Sequence, residues 1–222
     1  MQRMLCAILM GFTILALSGC GGGGGGGGSY PQTFTTSILS DPVYDGDIEQ
    51  TSLTSFTITQ GMSSSIQSVF AGVDPVSQNE YRAFLDFPLG GAGGVPSNAI
   101  IDSAKLDIVI NTIQPSYATI PILIDLVSFQ SPSLLSTDFD RGIQPALAYT
   151  TISPPISSPA DVGQNISIDV TSLMGEAQFR GLPDFQVRIL EDFGTNPGII
   201  EINDTTGPNR PILAPQLTVT YH

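Results

Sequence analysis

The stretch Tyr81–Asn111, YRAFLDFPLGGAGGVPSNAIIDSAKLDIVIN, constrains the fold more than any other. Tyr81, Ala83, Leu85 and Phe87 fall on one phase of a two-residue period. Ala104, Leu106, Ile108 and Ile110 do the same after a Gly-rich bend and a Pro96-Ser97-Asn98 turn. A period of two places successive side chains on opposite faces of a strand, so each run presents one apolar face that must be covered. Two such runs joined by turn residues predict an antiparallel pair at the centre of a β-sandwich.

The same pattern recurs along the chain. Leu53–Thr59 reads as a strand with Phe56 and Ile58 inward, and Ile66–Phe70 as a short one. Ala99–Ile101 leads into the strand Lys105–Asn111. In Tyr117–Val127 the residues Ile120, Ile122, Ile124 and Leu126 share a face, and Pro121 marks an edge or a strand start. Leu147–Ile152 is a short strand within the irregular Ser- and Pro-rich stretch Ser128–Gln164. Asn165–Val170 alternates Ile166, Ile168 and Val170 inward. Thr171-Ser172 then caps a short helix, Leu173–Phe179, stopped by Gly181 and Pro183. Phe185–Leu190, Ile199–Ile202 and Gln216–Tyr221 complete eight or nine strands, with Asn196-Pro197-Gly198 as a turn. The expected fold is all-β, an antiparallel sandwich of jelly-roll type with one short helix, in a single domain over residues 30–222.

What precedes that domain is of another kind. Arg3 is a short basic start, and Leu5–Leu17 is an apolar run too short for a stable membrane-spanning helix. It ends in Leu17-Ser18-Gly19-Cys20, which resembles the lipobox of bacterial lipoproteins. The resemblance implies a signal peptide over residues 1–19, cleavage before Cys20, and lipidation of the Cys20 thiol and new amino group. Because Gly21 rather than Asp follows, the sorting pattern implies the outer membrane in a Gram-negative host, facing the periplasm or the cell surface. Residues 20–29 then form a lipidated Cys and a linker, Gly21–Gly28 plus Ser29. Eight glycines cannot pack a core, and as a coil they span roughly 15 Å. No Lys-Ser/Thr pair follows them, so they are not a phosphate-binding loop.

Composition excludes several chemistries. With Cys6 in the signal and Cys20 lipidated, the domain has no thiol, hence no disulfide and no Cys nucleophile or ligand. The only His is the terminal His222, expected to fray, which leaves no Ser-His-Asp site and no transition-metal site. The formal charge of −13 rules against nucleic acid. The metal that acidic loops would suit is calcium, in a structural role. The residues that would hold it are Asp41, Asp45, Asp47 and Glu49, or Asp138 and Asp140, with Glu191, Asp192, Asn203 and Asp204 as further loop oxygens. Otherwise these acids are turn formers and solvated charges. Arg82 and Arg188 lie on the outward phase of their strands and are expected to pair with neighbours such as Asp86 or Asp107.

Several segments taken together resemble the DNRLRE-type domain, a family grouped with carbohydrate-binding module family 96. They are Asp45-Gly46, the run from Tyr81 to Phe87, and the run from Pro96 to Leu106. Asp169-Val170-Thr171 before the helix, the run from Phe185 to Ile189, and Arg210-Pro211 with Leu217–Tyr221 follow in the same order. The resemblance covers the chain from Asp41 to its end. It implies a jelly-roll sandwich on a secreted or surface protein, with polysaccharide binding as in some members, and does not imply an enzyme; catalysis by convergent loop carboxylates is the last alternative. The chain has no Trp, so its six Tyr are the hydroxylated aromatics left for a sugar face. The expectation is a non-catalytic binding or structural module at the cell envelope, held to the membrane through Cys20. Its partner would be a polysaccharide or an envelope protein.

Overall fold

The computed structural model describes residues 31–129, 133–192 and 197–222. The signal segment, Cys20, the glycine linker and Asn196 of the expected turn lie outside the described residues.

The chain runs through β1 (Phe34–Leu39), β2 (Gly46–Ser52), β3 (Ser55–Gln60), β4 (Ser68–Val73), β5 (Glu80–Pro88) and β6 (Ile101–Gln114). It continues with β7 (Thr119–Ile120), β8 (Ile122–Val127), α1 (Ser136–Phe139), β9 (Ala148–Thr151), β10 (Ile156–Ser157) and β11 (Asn165–Asp169). The last elements are α2 (Thr171–Arg180), β12 (Asp184–Glu191), β13 (Ile199–Asn203), α3 (Arg210–Leu213) and β14 (Gln216–Tyr221). Twelve strands form one curled antiparallel sheet in the order β1-β14-β6-β13-β4-β5-β12-β8-β9. β11 pairs with β6, and β2 joins β5 to β3. β7 and β10 make a separate two-stranded ladder. The fold is the expected all-β sandwich, closed over an interior that includes Leu85, Phe87, Leu106, Ile124 and Val187.

The sequence pattern predicts eight or nine strands and one helix. The described residues hold fourteen strands and two further four-residue helices. β1 and β2 lie before Leu53, where the sequence pattern marks no strand. β1 is an edge strand whose Thr35 and Ser37 hydroxyls lie 3.1 Å from those of Thr220 and Thr218 on β14, so it lacks an apolar stripe. Ile58, expected inward on the Leu53–Thr59 strand, lies on β3 and is exposed. Pro121 divides the Tyr117–Val127 run into β7 and β8, since it cannot donate to a ladder. His222 does not fray: its N–H donates to the Ile100 carbonyl at 3.1 Å and its Nδ1 lies 2.9 Å from Asp102 Oδ1.

α2 ends at Gly181 as its sequence signals predict, but it starts earlier: Val170 is the N-cap, no side chain caps the helix, and Thr171 and Ser172, expected as the cap, lie in its first turn. Asp169 accepts the Thr171 N–H at 2.9 Å, and the Thr171 hydroxyl accepts the Ala104 N–H at 3.0 Å, fixing the helix start to β6. Gly181 ends it in the left-handed region at φ +63°, where its N–H and that of Leu182 close on Gln178 and Ala177. Leu173, Met174 and Ala177 pack into the interior. Among the described residues no helix is long and apolar enough to cross a membrane.

β5 and β12 are buried on both faces. Opposite the main interior, Ile48, Phe84, Val127, Phe129, Leu134 and Phe139 form a second apolar cluster beneath α1 and the segment leading to it. The outward phase of these strands is therefore covered, and Arg82 and Arg188 are buried rather than projecting. Neither pairs with Asp86 or Asp107. Arg82 binds Glu80 at 2.7 Å and lies 4.0 Å over the Phe139 ring, while Arg188 binds Asp125.

Candidate functional site

β6 is interrupted by one residue that shapes a polar surface. Opposite it, Glu201 pairs with Thr112 and Ile202 with Ile110, so Asn111 is extra. This β-bulge resets the phase: Ile110 and Ile113, three apart, both enter the interior. Asn111 and Thr112 then both reach Glu201 on β13. The Glu201 carboxylate accepts from Ser68 Oγ at 2.7 Å, Asn111 Nδ2 at 3.3 Å and Thr112 Oγ1 at 2.9 Å.

Beside this cluster, β4 and β5 bring Phe70 and Tyr81 together, ring centroids 5.9 Å apart and planes tilted by 57°. The Tyr81 hydroxyl donates to Glu49 Oε1 at 2.7 Å, and Asn79 Nδ2 donates to the same oxygen at 2.7 Å. Burial pushes the Tyr81 hydroxyl pKa up, and the Glu49 carboxylate adds to it, so Tyr81 stays a donor. On the same strand as Glu49, Asp47 is buried and its Oδ2 accepts the Phe70 N–H at 3.2 Å. Burial raises the Asp47 pKa to about 7, opposed by that hydrogen bond and helped by Glu49.

Two hollows meet at these residues. One, of about 450 Å³, is lined by Asp47, Glu49, Gln67, Phe70, Tyr81 and Glu201 among others. The other, of about 120 Å³, lies against Phe70, Asp74, Tyr81, Thr112, Gln114 and Glu201. Phe70, Tyr81 and Glu201 belong to both, so the hollows form one groove. Its combination of ring faces and converging polar groups is that of a ligand site. No Lys or Arg lines either part. A hollow of about 440 Å³ between the Gly90–Gly94 loop and the end of α2 carries no titratable side chain.

The loop acids go to separate places. Asp41 accepts the Val43 N–H at 2.9 Å, Asp138 the Leu135 N–H at 2.8 Å and Asp140 the Gly142 N–H at 2.6 Å, each closing a local turn. Asp47 and Glu49 line the groove. Glu191 is buried at the end of β12, its pKa raised by burial, and Asp192 is exposed. Asn203 donates to Asn111 Oδ1 at 2.9 Å. Among the described residues no three of His, Cys, Asp and Glu are placed to hold a metal ion.

Asp45 leaves the surface altogether. Its Oδ1 accepts the Asp86 N–H at 2.8 Å, and it meets Asp204 in the interior, where both are fully buried. Asp204 Oδ1 accepts from Arg210 Nη1 at 3.0 Å. As two carboxylates, each would keep an Oδ2 with no donor. One proton shared between them would satisfy both. Burial first, then the Asp204 charge, lifts the Asp45 pKa well above the carboxylate range, so Asp45 keeps that proton.

From sequence, Asp47, Glu49 and Tyr81 are turn, loop and core-strand residues. Phe70, Glu201, Asn111 and Thr112 have no site role there. One signal is present: the polar pair Asn111-Thr112 between Ile110 and Ile113 breaks the alternation as a bulge does. No protein-family model matches the chain, and none of the curated proteins matches it.

Proposed function

We propose that this chain is a lipid-anchored protein of the bacterial envelope whose sandwich is a non-catalytic module binding a polysaccharide in the Phe70–Tyr81 groove. The observation that carries the reading is the groove itself. It is lined by the Phe70 and Tyr81 rings together with Glu49, Glu201, Thr112 and Gln67. Sugars present apolar ring faces and hydroxyls that both donate and accept, which suits such a mixture. Glu49 and Glu201 are each held as acceptors by two or more neighbouring donors, which favours binding over proton transfer to a glycosidic oxygen. The anchoring half rests on Leu17-Ser18-Gly19-Cys20 and the glycine linker after it.

Affinity electrophoresis of the full-length chain in detergent, through gels holding neutral, amino-substituted and uronic polysaccharides, tests the reading. Retardation by at least one polymer without release of reducing ends is expected. Unretarded migration through every gel favours a structural or protein-binding role, and accumulation of short products would make the protein an enzyme.

A further inference from the structure

The groove leads off the end of its strands. Glu201 of β13 pairs with Thr112 of β6, and Ile199, two residues away and so on the same face, pairs with Gln114. β4 lies on the other side of β13, with Phe70 opposite Glu201 and Gly72 opposite Ile199. The three strands run out together: β4 into Asp74-Pro75, β6 into Pro115, and β13 begins after Pro197-Gly198. Asp74, Gln114 and Ile199 line the smaller hollow of the groove. The residues beyond them, Pro75, Pro115 and Pro197, line a further hollow of about 530 Å³ with Ser116, Tyr117 and Thr119. From Glu201 to Pro197 is roughly 13 Å of extended chain.

Tyr117 is the unexpected residue of that hollow. The Ala118 N–H donates to the Pro115 carbonyl at 3.0 Å, closing a turn whose third residue is Tyr117 at φ +76°. Ser116 before it keeps a negative φ, so the turn is of type II, whose third place asks for Gly because a Cβ is strained there. Tyr117 is also 84 % exposed, so burial of its ring does not offset the strain. A Gly would close this turn with less strain. What Tyr117 adds is a ring held out at the mouth of a proline-walled hollow, and a strained residue kept in such a place calls for a use outside the fold.

We infer that Tyr117 is a second sugar platform, and that a polysaccharide lying against Phe70 and Tyr81 continues past the strand ends onto its ring. The inference rests on reading the groove as a polysaccharide site. The apolar face of a sugar stacks on an aromatic ring, and the Tyr hydroxyl and Thr119 give hydrogen-bonding edges beside it. No acidic or basic side chain is among the described residues that line this hollow, so it adds length and stacking rather than selection by charge.

Two variants of the full-length chain in detergent test it, by thermal unfolding and by affinity electrophoresis. The gels hold hydroxyethyl cellulose, glycol chitosan or polygalacturonate at graded concentrations. Tyr117→Gly removes the ring and relieves the turn. It is expected to melt no lower than wild type, yet to bind the retarding polymer about two- to tenfold more weakly, the scale of one aromatic stacking contact. Tyr117→Phe keeps the ring and should bind about as wild type does. A Tyr117→Gly protein retarded as strongly as wild type overturns the platform and leaves the Phe70–Tyr81 groove standing. One that melts lower than wild type also overturns it, because the ring then serves the fold. Tyr117→Phe binding as weakly as Tyr117→Gly would make the hydroxyl the contact and overturn stacking. Wild type unretarded in every gel overturns both this inference and the polysaccharide reading beneath it.

Discussion

Arg188 and Asp125 meet at 2.6 Å with neither side chain exposed. Arg188 also donates to the Asp138 carbonyl at 2.7 Å and the Gln144 carbonyl at 3.1 Å. One guanidinium thus joins β12 to β8 and pins the covering segment to the sheet. Removing Arg188 leaves the buried Asp125 with only the half-exposed Arg141, at 3.0 Å, and so costs at most the about 3–5 kcal/mol of a broken buried pair. Arg188→Met should lower the urea midpoint accordingly and raise hydrogen exchange over residues 133–144. Arg188→Met with Asp125→Leu should recover a good part of the loss, because no buried charge pair is then left half made. A single variant as stable as wild type would show that the pair is not what holds this layer.

The buried acids give the fold an inverted pH dependence. Burial lifts Asp86 to about 6, helped by Asp184 and Asp41 and opposed by Gln186, and it lifts Asp47 to about 7. Each binds its proton more tightly folded than unfolded, where the value is near 3.8. Raising the pH from 3.8 through 6 and 7 therefore removes stability, and lowering it below 3.8 adds nothing more from these groups. The melting temperature should be highest near pH 4–5 and fall steadily to pH 8. Asp45→Asn mimics the protonated acid against Asp204, so it should be tolerated and should flatten that slope. A melting temperature that climbs between pH 5 and pH 8 would contradict this account.

How far the sequence discloses this molecule depends on whether the burden on a residue is local. Alternation announces β5, β6, β8, β12 and β14 because each has a continuous apolar stripe, and α2 carries its own start and stop. β2 does not read as a strand, since Asp45-Gly46-Asp47 has turn chemistry; its acids are there because a backbone N–H from β4 or β5 comes to meet them. Arg188 reads as outward because the phase of a strand says which side a residue takes, not whether a distant loop covers that side. The groove draws on six strands, and only its bulge leaves a mark in the local pattern. Leu17-Ser18-Gly19-Cys20 and the glycines after it lie outside the described residues, so their reading rests on the sequence.

Gly72 should be intolerant of any side chain. Its φ of +117° is costly for other residues, and a Cβ there would sit 2.1 Å from the Gly198 carbonyl oxygen. It pairs with both Tyr81 and Ile199, at the point where β4 links the two halves of the curled sheet. Gly72→Ala should cost at least about 2 kcal/mol, the scale of backbone strain plus a clash with main chain. Any folded fraction should also lose the tilted Phe70–Tyr81 ring contact that lines the groove. Equilibrium unfolding checks the first expectation and near-ultraviolet dichroism the second. An unchanged midpoint would mean that β4 and the Gly198 turn separate at no cost.

The final prediction concerns the tether. A single acyl chain holds a protein to a bilayer only marginally, whereas several chains on one residue hold it firmly. Under the lipoprotein reading Cys20 carries those chains, and the eight glycines after it can transmit no orientation to the domain. Cys20→Ala should therefore abolish membrane retention or stop maturation, leaving precursor that still contains Leu5–Leu17. Shortening Gly21–Gly28 to three residues should leave retention and melting temperature unchanged and slow capture of a polymer by intact cells, by drawing the groove toward the membrane. Fractionation of the envelope, with the mass of the mature N terminus, reads both variants. A Cys20→Ala protein that fractionates and matures as wild type does would place the anchor elsewhere and reduce Leu17-Ser18-Gly19-Cys20 to coincidence.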